Sequence, residues 1–215
     1  MKVFVTGGTG YIGSRLIPLL VQRGHEVKAV VRNGSETRLP GGATPVVADP
    51  LRMDSYLEHV EGSDAFVHLI GVAHPSPAKA KQFREIDLVS AQVAVKAAQA
   101  AGIGHFIYLS VAQPAQMMQA FIAVRSEGER MIRAAGMPAT FVRPWYVLGP
   151  GHRWPYLLLP FYWVCERIPA TKESARRLGL VTISQMLEAL VWAVENPAQG
   201  VRILDVPKIR ELSAR

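Results

Sequence analysis

The sequence predicts an α/β fold, a doubly wound parallel sheet carrying a small C-terminal cap. Three observations predict it. A β-branched apolar run, Val3 to Thr6, meets the glycine-rich turn Gly7-x-x-Gly10-x-x-Gly13, and a helix with apolar Ile12, Leu16, Leu19 and Leu20 follows. Strand and helix signals then alternate five times with no hairpin signal between them, the pattern of parallel strands joined by crossover helices. The strand runs are almost continuously apolar, as strands buried on both faces are.

The bulk composition narrows the function classes. The chain has 215 residues, 49% hydrophobic and 19% charged, which suits one compact folded unit and excludes a disordered chain. Nothing after Lys2 reads as a signal peptide, and no apolar span of about 18 residues reads as a membrane helix, so a cytoplasmic compartment is expected. A single cysteine, Cys165, excludes an internal disulfide and a multi-thiol metal site, and no metal is expected. The net charge of +7 is dispersed, with one local concentration at Lys172, Arg176 and Arg177. That distribution argues against nucleic acid and for a ligand that carries phosphates.

The glycine turn carries the first chemistry. A strand–turn–helix presents backbone N–H groups and a positive helix end to a pyrophosphate. Gly7 permits the tight turn, Gly10 lets a phosphate approach the backbone, and Gly13 lets the helix pack closely. Thr9, Tyr11 and Ile12 complete the cradle. The second strand, Glu26 to Val31, ends at Arg32, where an acid would select NAD by accepting from the ribose 2′-hydroxyl. A guanidinium there pairs with a 2′-phosphate instead, so NADP(H) is favoured over NAD(H), with Arg15 and Arg38 as helpers. A third strand, Pro45 to Ala48, ends at Asp49, for which two compatible roles are expected, accepting from the adenine amino group and capping the next helix.

Met53 to Val60 reads as helical. The fourth strand, Ala65 to Ile70, runs through Leu69 and Ile70 into Gly71, where a glycine lets the backbone lie close to the cofactor's central riboses. His74 follows as a weaker pocket candidate. Apolar positions Ile86, Val89, Val93 and Ala97 predict a long helix over 78–101, and His105 to Ser110 is the fifth strand, with Ser110 at the ligand-binding edge. A helix over 117–135 and a sixth strand, Ala139 to Val142, lead into Arg143-Pro144 and Gly149-Pro150. Residues 1–144 are read as the cofactor-binding core and 145–215 as a cap, with Leu180 to Ile183, a helix from Ser184 to Glu195 and a last strand from Arg202 to Val206. The aromatic run 154–165 fits core, substrate pocket, a protein partner or a peripheral membrane contact.

With the glycine loop, Arg32, Asp49, the Gly71 turn, Ser110 and Arg143-Pro144…Gly149-Pro150 in place, the chain resembles the atypical short-chain dehydrogenase/reductase superfamily, Rossmann proteins that bind NAD(P). The branch it is most similar to includes NmrA-like regulators and the Rossmann accessory subunit of mitochondrial complex I. The resemblance implies hydride transfer between nicotinamide and a carbonyl or alcohol carbon of a small molecule. That chemistry uses a Tyr-x-x-x-Lys pair on the helix after the fifth strand, and the matching positions here read Phe121-Ile-Ala-Val-Arg125. Glu127 and Glu129 fit the pattern downstream. Phe121 has no ionisable proton, and loss of general acid–base help costs about 10²–10⁴ in rate. Arg125 is left as a ribose ligand, and Pro144 is counted among the cofactor-binding residues. Ser110 and Tyr146 are the remaining candidates for a catalytic role; Tyr108, inside a strand, is expected to point into a packed layer. Two functions compete: an oxidoreductase or epimerase/dehydratase relative with a rearranged proton donor, and a non-catalytic NAD(P)-sensing or accessory binding protein.

Overall fold

Alternation along the first strand, β1 (Lys2–Thr6), sorts its side chains to two faces, Val3 and Val5 to one and Phe4 and Thr6 to the other. The computed structural model describes residues 1–151 and 168–213. All seven strands of its main sheet are parallel, in the order β3-β2-β1-β4-β5-β6-β9. Their spans are β2 Glu26–Val31, β3 Ala43–Val47, β4 Ala65–His68, β5 His105–Leu109, β6 Ala139–Val142 and β9 Val201–Leu204. This is the doubly wound sheet that the alternation predicts.

Register builds each face into layers. On one face Phe4, Phe66 and Phe106 stand side by side, with ring centroids 5.2 and 5.1 Å apart. Toward the strand C-termini the next layer reads Thr6, His68, Tyr108 and Phe141. Helices α2 (Leu57–Val60), α4 (Val89–Ala100) and α5 (Gln119–Ala134) belong to this face, where Ala91, Ala94 and Ala98 let α4 approach closely. On the other face Val5, Val67 and Ile107 meet α1 (Gly13–Gln22) through Leu16, Ile17 and Leu20.

The long helix expected over 78–101 is interrupted. A short α3 (Ala80–Gln82) passes into a π-helical turn, Phe83–Leu88, before α4 begins. The extra residue in that turn swings Asp87 inward, where its side chain is fully buried.

The expected division at residue 144 does not coincide with the sheet. Beyond the short β7 (Tyr146–Leu148), α6 (Pro169–Arg177) and β8 (Leu180–Thr182), the chain re-enters the core as α7 (Ile183–Glu195), and β9 becomes the seventh strand beside β6. Met186, Leu190 and Val194 of α7 share a cluster with Leu16 and Leu20 of α1, so this segment is half of the fold's second face. Thr182 and Gln185 form a capping box at the start of α7. A last helix, α8 (Val206–Leu212), is capped by Asp205 and starts where the strand was expected to end. The aromatic run 154–165 lies outside the described residues.

Candidate NAD(P)H site

β1 pairs with strands that lead away on either side, so the C-terminal ends of β1 and β4 open the crevice where doubly wound sheets bind ligands. The glycine loop fills its floor. Gly7 has φ +83°, and a Cβ there would lie 3.0 Å from the carbonyl carbon of Leu69. Gly10 donates its N–H to the Gly7 carbonyl (3.0 Å) and is itself exposed. A Cβ on Gly13 would overlap the Gly7 carbonyl oxygen and the Gly8 Cα, so this glycine packs the helix against the loop itself. Gly8, which sequence reasoning passed over, lies against Ile17 and Ala29 of the core, where a Cβ would come within 2.9 and 3.0 Å. The result is a rigid loop, anchored underneath, with the first turn of α1 directed at the crevice. Helix first turns carry N–H groups with no intrahelical acceptor, which suits a pyrophosphate.

Around this floor the adenosine-side candidates fall as follows. Thr9, Tyr11 and Ile12 are partly buried along the loop, and Arg15 donates to the Tyr11 carbonyl (2.8 Å) while stacking on the Tyr11 ring at 4.2 Å. Arg15 therefore braces the loop. Arg32 is exposed just past the end of β2, and Arg38 is exposed in the turn beyond it. Asp49 is exposed and accepts the Leu51 N–H at 2.9 Å, which closes a turn; the helical turn that follows starts at Met53 with Arg52 before it, so Asp49 does not cap it.

The other half of the crevice is built differently from expectation. Arg125 is buried, and its guanidinium donates to the carbonyls of Leu109 (2.9 Å) and Ile70 (3.2 Å) and to Asp87 (3.3 Å). The Gly71 backbone lies directly against this group, so that a Cβ on Gly71 would overlap the guanidinium. The close approach that Gly71 permits is thus occupied by the protein's own Arg125. Asp87 also accepts the Val72 N–H, at 2.8 and 3.2 Å. Burial pushes the Asp87 carboxyl up from its ordinary value, opposed by Arg125 and by the Val72 N–H. Phe121 packs on Phe83, centroids 5.0 Å apart, with the guanidinium 5.2 Å from its ring.

Ser110 is buried and donates its hydroxyl proton to Glu129 at 2.6 Å. Glu129 also accepts from Gln113 Nε2 (3.2 Å) and from both Nε (2.8 Å) and the terminal nitrogen of Arg143. Pro144 is buried and accepts the Ala112 N–H, which keeps the β5 and β6 exits side by side. Tyr108 is fully buried, its hydroxyl against Gly128 of α5, and burial raises its pKa. Tyr146 is partly buried, with its phenol pushed up by desolvation. His74 is exposed with φ +50°. His68, which sequence reasoning did not single out, bonds Thr6 Oγ1 at 2.8 Å and is lowered to about 3 by burial and then by Arg125.

An NAD(P)H-binding family model matches residues 7–152, which hold the loop and both strand exits. The chain belongs to this NAD(P)H-binding family. Its relatives lie in the atypical short-chain dehydrogenase and epimerase-like group. The ceramide reductase of Caulobacter vibrioides is 26% identical over 215 residues, covering 95% of this chain and 64% of the reductase. The UDP-glucose 4-epimerase of Klebsiella pneumoniae is 36% identical over 126 residues, 52% of this chain and 90% of that protein. Among solved structures, Bordetella bronchiseptica WbmH in complex with NAD+ superposes with a TM-score of 0.70 at 22% identity, over 99% of this chain and 79% of WbmH. Thermus thermophilus UDP-glucose 4-epimerase in complex with NAD gives 0.72 at 17% identity, over 100% of this chain and 81% of the epimerase. This NAD(P)H-binding chain thus spans less than two thirds of the ceramide reductase. Among its described residues no helix is long and apolar enough to cross a membrane.

Proposed function

We propose that this protein binds NADP(H) and lacks the proton relay by which the short-chain dehydrogenases turn the cofactor over. The observation that carries the proposal is the engagement of Arg125 by Leu109, Ile70 and Asp87. A lysine-type ammonium in that place serves two purposes, bonding the nicotinamide ribose and lowering the pKa of a neighbouring phenol. Here the cation is paired with a buried carboxylate, and the neighbouring ring is Phe121. Ser110, the third participant, gives its proton to Glu129. Bound NADPH supplies a hydride; at the positions of the family's Tyr-x-x-x-Lys pair, the described residues Phe121 and Arg125 offer no proton beside it. The binding reading is therefore favoured over a rearranged oxidoreductase or epimerase, although the matched relatives carry reductase and epimerase names.

The preference for NADP(H) rests on Arg32, exposed at the end of β2 where a carboxylate would repel a 2′-phosphate. Titration of the purified protein should show NADPH binding more tightly than NADH, and Arg32→Ala should remove the difference. A carbonyl panel with NADPH should show negligible turnover. Robust turnover that Tyr146→Phe abolishes would overturn the proposal and make Tyr146 the proton donor.

A further inference from the structure

The two halves of the crevice are unequally equipped. On the β1–β2 side, the glycine loop and the first turn of α1 form a braced floor with Gly10 exposed on it, and Arg32 is exposed beside it. On the β4–β5 side the cation is sealed in. Residues 70–72 wrap it on three sides: the Ile70 carbonyl accepts from it, the Gly71 backbone lies flat against it, and the Val72 N–H goes to its carboxylate partner. The Arg125 and Asp87 side chains are 4% and 0% exposed. Both terminal nitrogens of the guanidinium donate to protein oxygens, and its Nε is buried as well. The Nε has no hydrogen-bond partner, but it is itself buried away from solvent, so a ligand group entering the crevice does not meet it at the surface. To reach Arg125 it must break a buried ion pair and expose the carbonyls of Leu109 or Ile70, which is costly.

We infer that the site recognises only the 2′-phosphorylated adenosine-diphosphate half of its dinucleotide and is indifferent to the redox state of the nicotinamide. The inference rests on the NADP(H)-binding reading above and adds to it what is read and what is ignored. Affinity comes from the pyrophosphate on the loop and the 2′-phosphate at Arg32. The nicotinamide riboside projects past the sealed Arg125–Asp87 pair, which offers it no free charged anchor. A protein built this way responds to the total pool of 2′-phosphorylated adenine nucleotides, not to the ratio of its reduced and oxidised members.

Competition titrations on the full chain test this without any variant. NADP+, NADPH and 2′-phospho-ADP-ribose should bind with dissociation constants within about threefold of one another, and reduced nicotinamide mononucleotide should not compete. The double substitution Asp87→Asn with Arg125→Lys unseals the pair, and should tighten NADPH about tenfold relative to 2′-phospho-ADP-ribose. NADPH binding more than about tenfold tighter than 2′-phospho-ADP-ribose to the wild type would overturn the inference and leave NADP(H) binding intact. So would a tenfold difference between NADP+ and NADPH. Failure of all three nucleotides to bind would instead overturn the NADP(H) reading on which it rests.

Discussion

The Glu129–Arg143 pair gives a prediction whose size and asymmetry follow from burial. Glu129 sits one turn beyond Arg125 on α5 and holds both neighbouring strand exits, Ser110 after β5 and Arg143 after β6. Its side chain is 5% exposed and that of Arg143 18%. Removing one member of a buried ion pair costs about 3–5 kcal/mol, because the survivor is left charged and unpaired. The survivors differ. After Glu129→Gln an amide oxygen still accepts from Ser110, and the Arg143 guanidinium reaches water, so the loss falls at the lower end, about 3 kcal/mol. After Arg143→Met the carboxylate keeps only Ser110 and Gln113 and is nearly sealed, so the loss approaches about 5 kcal/mol. Urea unfolding followed by tryptophan fluorescence and far-UV circular dichroism measures both. With a slope of about 2–3 kcal/mol/M, Glu129→Gln lowers the midpoint by about 1–1.5 M and Arg143→Met by more, at unchanged slope. The reasoning fails if Arg143→Met is the milder change, or if both fall within about 0.5 kcal/mol of wild type, as ordinary surface substitutions do.

Two further outcomes follow from the loop and from a buried histidine. Gly13→Ala, whose new methyl overlaps backbone of Gly7 and Gly8, should lower both the melting temperature and NADPH affinity, whereas Gly10→Ala, facing only the Gly7 carbonyl at 3.2 Å, should lower affinity while leaving the melt nearly unchanged; Gly10→Ala binding NADPH like wild type would refute the phosphate approach at Gly10. His68 stays neutral in the fold down to about 3 against an ordinary 6.5, so the unfolded chain takes up the proton first, and stability present above 6.5 is lost as the pH falls. By about pH 5 the loss from this residue is about 2 kcal/mol, and denaturation in His68→Gln should be flatter over the same range. A wild-type chain whose urea midpoint is constant between about pH 7 and 5 would contradict it.

The parts legible in the sequence were those in which local chemistry and tertiary role agree. Val3 to Thr6 and the glycine spacing each specify a local structure that the fold uses as read, whereas the helix expected from Ile86, Val89, Val93 and Ala97 forms only from Val89 on and buries Ala91, Ala94 and Ala98 instead of Ile86. The elements that escaped are those whose role is set elsewhere in the chain. A π-helical turn keeps the apolar period of an α-helix on either side, so nothing in Phe83–Leu88 announces it, and Asp87 reads as one more solvated helix acid. β9 alternates exposed and half-buried residues up to Leu204, an edge strand whose partner β6 lies some sixty residues earlier. α8 was hidden by taking Val206 as the end of a strand, although Asp205 followed by Val-Pro is a helix start with its cap and its N1/N2 proline. In the sequence Glu129 is legible only as part of a motif; its partners Ser110 and Arg143 lie 19 and 14 residues away, beyond any local pattern.

The same division explains why Phe121 and Arg125 read as two substitutions yet behave as one arrangement with Asp87 and Gly71. An ammonium in place of Arg125 is a point charge without a fork, and it could not bond Leu109, Ile70 and Asp87 from one planar group. Arg125→Lys alone therefore leaves a strand-end carbonyl without its donor while the Asp87 carboxylate still holds the cation. A phenol at position 121 would enter beside Phe83, against a cation whose pull on it is opposed by the Asp87 carboxylate, as it is for Tyr108. On the proposed reading, neither change by itself restores a proton relay. In this fold the carboxylate that the π-turn brings beneath the strand ends thus ties Arg125 and Gly71 into one arrangement.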